Sequence, residues 1–229
     1  MAEEWDAAAL ADEIARQIQE LPLANVPHMR AIRRRHSQRL KGAPPELFIP
    51  LARELKRRGE AWIGFELINR DERAMARVGA AELAEFGQGM AGWGDVDAFA
   101  GLLAGAAWLR RQIPDALIHE WARSPDRWWR RAALAATVVL NTPNQGGHGD
   151  PERTLAVCRL LADDSDDMVV KALSWALRKL AVFNAPVVRA FLADHDAVLA
   201  ARVKREVRHK LATGRKNPRR KSGDIHDLA

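Results

Sequence analysis

The feature that most constrains this chain is an unbroken helical periodicity. Apolar residues recur three and four apart from end to end, and no run alternates β-branched and polar residues as a half-buried strand would. PPELFIPLARELKRRG (44–59) shows the pattern in full, with a Pro-rich start, an apolar face and a basic last turn that stops at Gly59. Comparable units are expected over 5–21, 28–41, 61–69, 72–86, 95–104, 114–123, 125–141, 151–162, 166–182, 186–194 and 196–212. NTPNQGGHGD (141–150) is the clearest loop, because its Pro, Asn and Gly break a helix. Many short helices joined by tight turns predict an all-α fold, an α-solenoid whose concave side can follow a long ligand. The expected division is one domain over 1–213 and a polar, basic, disordered tail over 214–229.

Of the 229 residues 48% are hydrophobic, enough for a sizeable core. Tryptophan occurs eight times and tyrosine never, so aromatic contact rests on indoles and a few phenyl rings. A single cysteine, Cys158, excludes an internal disulfide framework and reads as a small buried residue in a reducing compartment. The acidic, amphipathic start is unlike a signal or transit peptide. No apolar run approaches the roughly 20 residues that span a bilayer. The expectation is a cytoplasmic protein with no membrane partner. Residues 202–221 carry ten bases against one acid, Glu206, more than the whole formal charge of +6, so the remainder is net acidic. Such polarity favours a polyanion, nucleic acid before membrane.

Several motifs invite readings that the surrounding residues exclude. GQGMAG (87–92) has the G-x-G-x-x-G spacing, but a helical segment, AAELAEF, precedes it where a dinucleotide fingerprint needs a strand. DDSDD (163–167) lacks the spaced ligands and distal glutamate of a calcium loop and reads as helix capping. The histidines show no zinc-ligand spacing, and His119 and His148 are expected at the surface. No metal and no cofactor is expected.

Three segments place residues on unexpected faces. In SPDRWWRRAALAAT (124–137), Ser124 is the expected N-cap, with Pro125 and Asp126 in the first turn. Trp128 and Trp129 fall on the apolar arc, and Arg130 beside Thr137 on the polar side. Arg131 is flanked by Leu134, Ala135 and Val138, so it needs an anionic partner, either a structural carboxylate or a phosphate. In DDMVVKALSWALRKL (166–180), Trp175 lies opposite the inward stripe, among Lys171, Arg178 and Lys179. The indole serves either cation–π contact with those bases or, as favoured here, an aromatic platform in a groove where the bases bind phosphate. In MAGWGDVDAFA (90–100), Asp95 is the expected N-cap, and Trp93 and Asp97 share one side of a turn. A carboxylate beside an indole face suits a developing cation.

Together GWGDVDAFA, SPDRWWRRAALAAT, and DDMVVKALSWALRKL followed by VKREVRHKLATG resemble the AlkD-like family of DNA alkylation-repair glycosylases, built from HEAT-like helical repeats. The resemblance runs from about residue 26 to 213, with its strong motifs between 90 and 213. It implies excision of cationic N3- or N7-alkylated purines from double-stranded DNA, without a metal, a cofactor or a base-binding pocket; action as a monomer is the simplest expectation. It matches Trp93 and Asp97 to the family's catalytic Trp-x-x-x-Asp, Trp175 to its second groove tryptophan and Arg131 to its phosphate-contacting arginine. The family's groove tyrosine has no counterpart, and MRAIRRRHSQR (29–39) offers phosphate contacts in that region instead. Two rivals stand beside this expectation: a HEAT-like DNA-binding module without chemistry, and a protein–protein scaffold.

Overall fold

The computed structural model describes residues 5–23 and 25–215. Of the expected tail only Gly214 and Arg215 are among them, and the rest lies outside the described residues. Every regular element of the described residues is a helix. In chain order they are α1 (Ala7–Gln19), α2 (Val26–Arg39), α3 (Phe48–Arg57), α4 (Ala61–Arg70), α5 (Glu72–Met75), α6 (Ala80–Gly87) and α7 (Trp93–Phe99). There follow α8 (Gly105–Leu109), α9 (Asp115–Ala122), α10 (Arg127–Leu140), α11 (Pro151–Leu160), α12 (Asp167–Leu180), α13 (Ala185–Asp194) and α14 (Ala201–Thr213). A π-helical segment, Ala100–Ala104, joins α7 to α8 in one continuous rod.

Short polar side chains start most of the longer helices. Asp6, Asn25, Asp126, Asp150, Asp166 and Asn184 each accept a first-turn backbone N–H, and α2, α11 and α13 carry Pro in the first turn. Asp166 confirms the capping role expected of DDSDD. Two caps differ from expectation. Gly92, extended at φ −148°, precedes α7, so Trp93 opens the helix and Asp95 sits in its first turn rather than capping it. Asp126 caps α10 by accepting from Trp128 N at 2.8 Å, while Ser124 Oγ accepts from Asp126 N, leaving Pro125 outside the helix.

Other departures are local. The unit expected over 72–86 is two helices, broken at 76–79, where Glu82 reaches back to accept from Gly79 N. Helix α14 begins at Ala201 rather than 196. Thr137 is buried, not polar-facing, because its hydroxyl donates to Leu134 O within its own helix. His119 is half-buried with Nε2 enclosed, whereas His148 is exposed as expected. Cys158 is fully buried, and burial pushes its thiol far above the ordinary value.

The helices stack so that α2, α4, α7, α10, α12 and α14 form one row, each packed against the next. Helices α1, α3, α9, α11 and α13 back this row from the other side. Beneath α7 lies an aromatic cluster in which Phe99 meets Phe65, Trp121 and Trp129 at centroid distances of 6.4, 5.7 and 5.9 Å. A Cβ at Gly87 would stand 2.1 Å from the Trp129 ring, so only glycine admits that indole. With Val96 and Phe99 buried in this cluster, Trp93 and Asp97 must face the other way, toward the open side of the row. The π segment beyond them is satisfied by side chains: Gln145 Nε2 donates to Gly101 O and Asn69 Nδ2 to Leu102 O.

Candidate functional site

Two adjoining cavities of about 540 and 470 Å³ lie along the row, and Trp93, Asp97 and Trp175 line both. The three residues that the sequence singles out from α7 and α12 therefore share one wall between two hollows. Trp93 is 61% exposed, an unusual state for an indole with no partner ring. Trp175 is half-buried, packed against the core on one side and lining both cavities on the other. The cation–π pairs among the described residues fall elsewhere, with Arg127 over Trp128 and Arg153 over Trp108.

Asp97 is clamped by Arg131 of α10. Arg131 Nε donates to Oδ1 at 3.0 Å and Nη2 to Oδ2 at 2.8 Å, while Nη1 donates to Met168 O at 2.6 Å. Of the two partners open to Arg131 in the sequence, the carboxylate is the one it meets. The guanidinium side chain is only 7% exposed, whereas Asp97 keeps 22%. Each carboxylate oxygen has two lone pairs and the fork takes one from each, so acceptor capacity remains on the open side. Burial lifts the Asp97 carboxyl above the ordinary aspartate value, and the hydrogen bonds and charge of Arg131 pull it back down.

The smaller cavity is charged, with Arg131, Lys171, Arg178 and Arg202 against Asp97 and Glu206. Lys171 Nζ pairs with Asp167 Oδ2 at 2.6 Å on a half-exposed edge. Arg178 is more enclosed: Nε donates to Ser174 Oγ and Glu206 lies 3.7 Å away, and burial holds its guanidinium below the usual arginine range. Of the three bases expected around Trp175, Lys171 and Arg178 reach the cavity and Lys179 does not line it. Arg202, from α14, takes the place that sequence reading gave to Lys179.

The larger cavity is mostly apolar, walled by Leu102, Ala135, Val138 and Val139. It contains two residues that the sequence reading missed, Trp62 and Glu66 of α4. Their signal was present, because Trp62 and Glu66 stand four apart, as Trp93 and Asp97 do. Arg30 of the N-terminal basic cluster also lines this cavity, from the α2 side.

Fold and site together define a helical-repeat protein whose centre is an arginine-held carboxylate between indoles, at the border of a basic and an apolar hollow. Residues 24–211 match the family described as DNA alkylation repair enzyme, and the chain belongs to that family. Its substrate is accordingly DNA. No curated protein and no solved structure is significantly similar to the chain. None of the helices of the described residues is long and apolar enough to cross a membrane.

Proposed function

We propose that this enzyme is a DNA glycosylase that hydrolyses the N-glycosidic bond of cationic N3- or N7-alkylated purines in duplex DNA. The observation that carries the reading is the convergence of Trp93, Asp97 and Trp175 on one wall, with Asp97 oriented yet still partly open. An alkylated purine already bears a positive charge, so it leaves as a neutral base when it takes the electron pair of the C1′–N bond. Positive charge then builds on the deoxyribose, as in other glycosyl hydrolysis. Ionised Asp97 is the counter-charge for that sugar, and Trp93 and Trp175 offer π faces to it. Water adds to C1′ and gives up a proton, to Asp97 or to solvent, leaving an abasic sugar and the free base.

In this reading Arg131 is a positioning residue: it fixes the carboxylate and favours its ionised form. Lys171 and Arg178, with Arg202, are the bases nearest to serve the flanking phosphates, and Lys179 lies further out. The enzyme acts as a monomer. The direct test is incubation of the protein with duplex containing N7-methylguanine or N3-methyladenine. Base release above the spontaneous rate is expected; its absence, with the duplex still bound, would leave a binding module without chemistry.

The pH profile tests the Arg131 role. Activity requires the Asp97 anion, so it falls as pH drops through the carboxyl's pKa. Arg131→Lys keeps a positive charge but loses the two-point bond that lowers that pKa. The acid limb of kcat/KM is expected to move to higher pH, whereas a merely structural arginine would leave its midpoint in place.

A further inference from the structure

The N-terminal basic cluster divides once its partners are counted. Arg33 is buried and donates from Nε to Glu66 Oε2 at 2.8 Å, and Arg39 pairs with Glu13 at 2.7 Å. Those two charges are already matched. Arg34 is not: it borders a separate hollow of about 360 Å³ at the far end of the α2–α4 seam. Lys41, just past the end of α2, and Arg70, the last residue of α4, line the same hollow. Its other charged walls cancel, because Arg33 is balanced by Glu66, and Asp71 by Arg73 Nη2 at 3.0 Å. What remains is the charge of Arg34, Lys41 and Arg70, each exposed and without an anionic partner among the described residues. Like charges gathered around one hollow repel until an anion joins them.

The hollow continues the line of the candidate site. Trp62, Glu66 and Arg70 stand on successive turns of one side of α4, the first two lining the larger cavity and the third this hollow. Arg30 and Arg34 repeat the step on α2. The Arg33–Glu66 pair stands between, its acid toward the cavity and its base toward the hollow. From Trp62 to Arg70 the helix rises about 12 Å, which a DNA strand covers in about three or four nucleotides. We propose that this hollow is a second phosphate-binding site, gripping the DNA backbone several nucleotides to one side of the reacting sugar. The position of the lesion rests on the glycosylase reading, whereas the site itself needs only that the substrate is DNA. Contacts of this kind carry no sequence information; they hold the duplex in register while Asp97 faces the sugar.

Salt titrations of full-chain binding to an unmodified duplex test the site. Arg34→Ala combined with Arg70→Ala should weaken binding about tenfold and reduce the log–log salt slope by about 1.8, the release expected from two phosphate contacts. Both side chains are exposed and unpaired, so the fold is left intact. Arg16→Ala combined with Arg159→Ala removes the same charge from exposed positions on α1 and α11, the helices that back the row, and should change little. On lesion-containing duplex, shortening one flank and not the other should cost wild type the same factor and cost the Arg34/Arg70 variant nothing more. An unchanged slope in that variant, an equal loss in the control pair, or an equal cost of shortening either flank would overturn the proposal. Base release with an unchanged slope sinks this site alone; a lowered slope without base release sinks the glycosylase reading and leaves the phosphate site standing.

Discussion

Asp97→Asn is expected to slow base release by about 10²–10³-fold, the scale on which removing one preorganised electrostatic contact acts. The amide is nearly isosteric and its oxygen still accepts one of the two Arg131 bonds, so the clamp is weakened rather than emptied. What disappears is the negative charge opposite the sugar. Arg131 then stands beside the site with its own charge uncompensated, and a cation forming nearby is disfavoured further. Both effects act on the rate, while the bases of the neighbouring cavity are untouched, so affinity for the lesion-containing duplex should stay near wild type. Single-turnover release of N7-methylguanine, paired with a binding titration, checks both halves. Release at the wild-type rate would remove Asp97 from the chemistry.

Phe99→Ala is expected to have the largest effect on stability, about 3–5 kcal/mol as for other fully buried phenyl rings. Phe99 has no exposed surface and touches Phe65, Trp121 and Trp129 at once, so four elements lose a common contact. For a chain of this size the melting temperature should fall by roughly 6–20 °C. Because Phe99 is the buried counterweight to Trp93 and Asp97 on α7, base release should decline even below the melting transition. Thermal denaturation with activity measured at a fixed lower temperature separates the two losses. A shift of only about 1–2 °C would show that the cluster collapses around the missing ring and that α7 is held by other contacts.

Much of this was legible because helices declare themselves within one turn. The spacing of Leu173, Ala176, Leu177 and Leu180 fixes the inward side of α12, and with it the outward side that carries Trp175. Trp93 and Asp97 were readable for the same reason. Partners from other helices were not. Arg131 plainly needed an anion, but a separation of 34 positions from Asp97 gives no local sign of which anion that would be. The pairing of Glu66 with Arg33 is hidden in the same way, and Trp62 stands among apolar neighbours, Ile63 and Phe65, that give no sign of an open face. The exchange of Lys179 for Arg202 reflects how α12 is rotated against α14, a quantity set by packing. Cap positions near 92–95 and 124–126 slipped because neighbouring residues compete to start each helix.

Eleven residues separate Asp97 from Trp108, and in a regular α-helix that interval returns to within about 20° of the same azimuth. Carboxylate and indole would then point the same way, yet Asp97 opens onto the cavities while Trp108 is wholly enclosed, its Nε1 donating to Asp115 Oδ1. The π segment between them resolves this conflict, since its extra residue turns the two ends apart by roughly 100°. It works as a phase shifter in the rod: deleting a single residue from 100–104 would remove the bulge yet leave ten regular steps, about 80° of offset, so carboxylate and indole would keep their separate sides, whereas winding the same eleven steps as plain α-helix would swing the carboxylate toward the side where the indole is sealed.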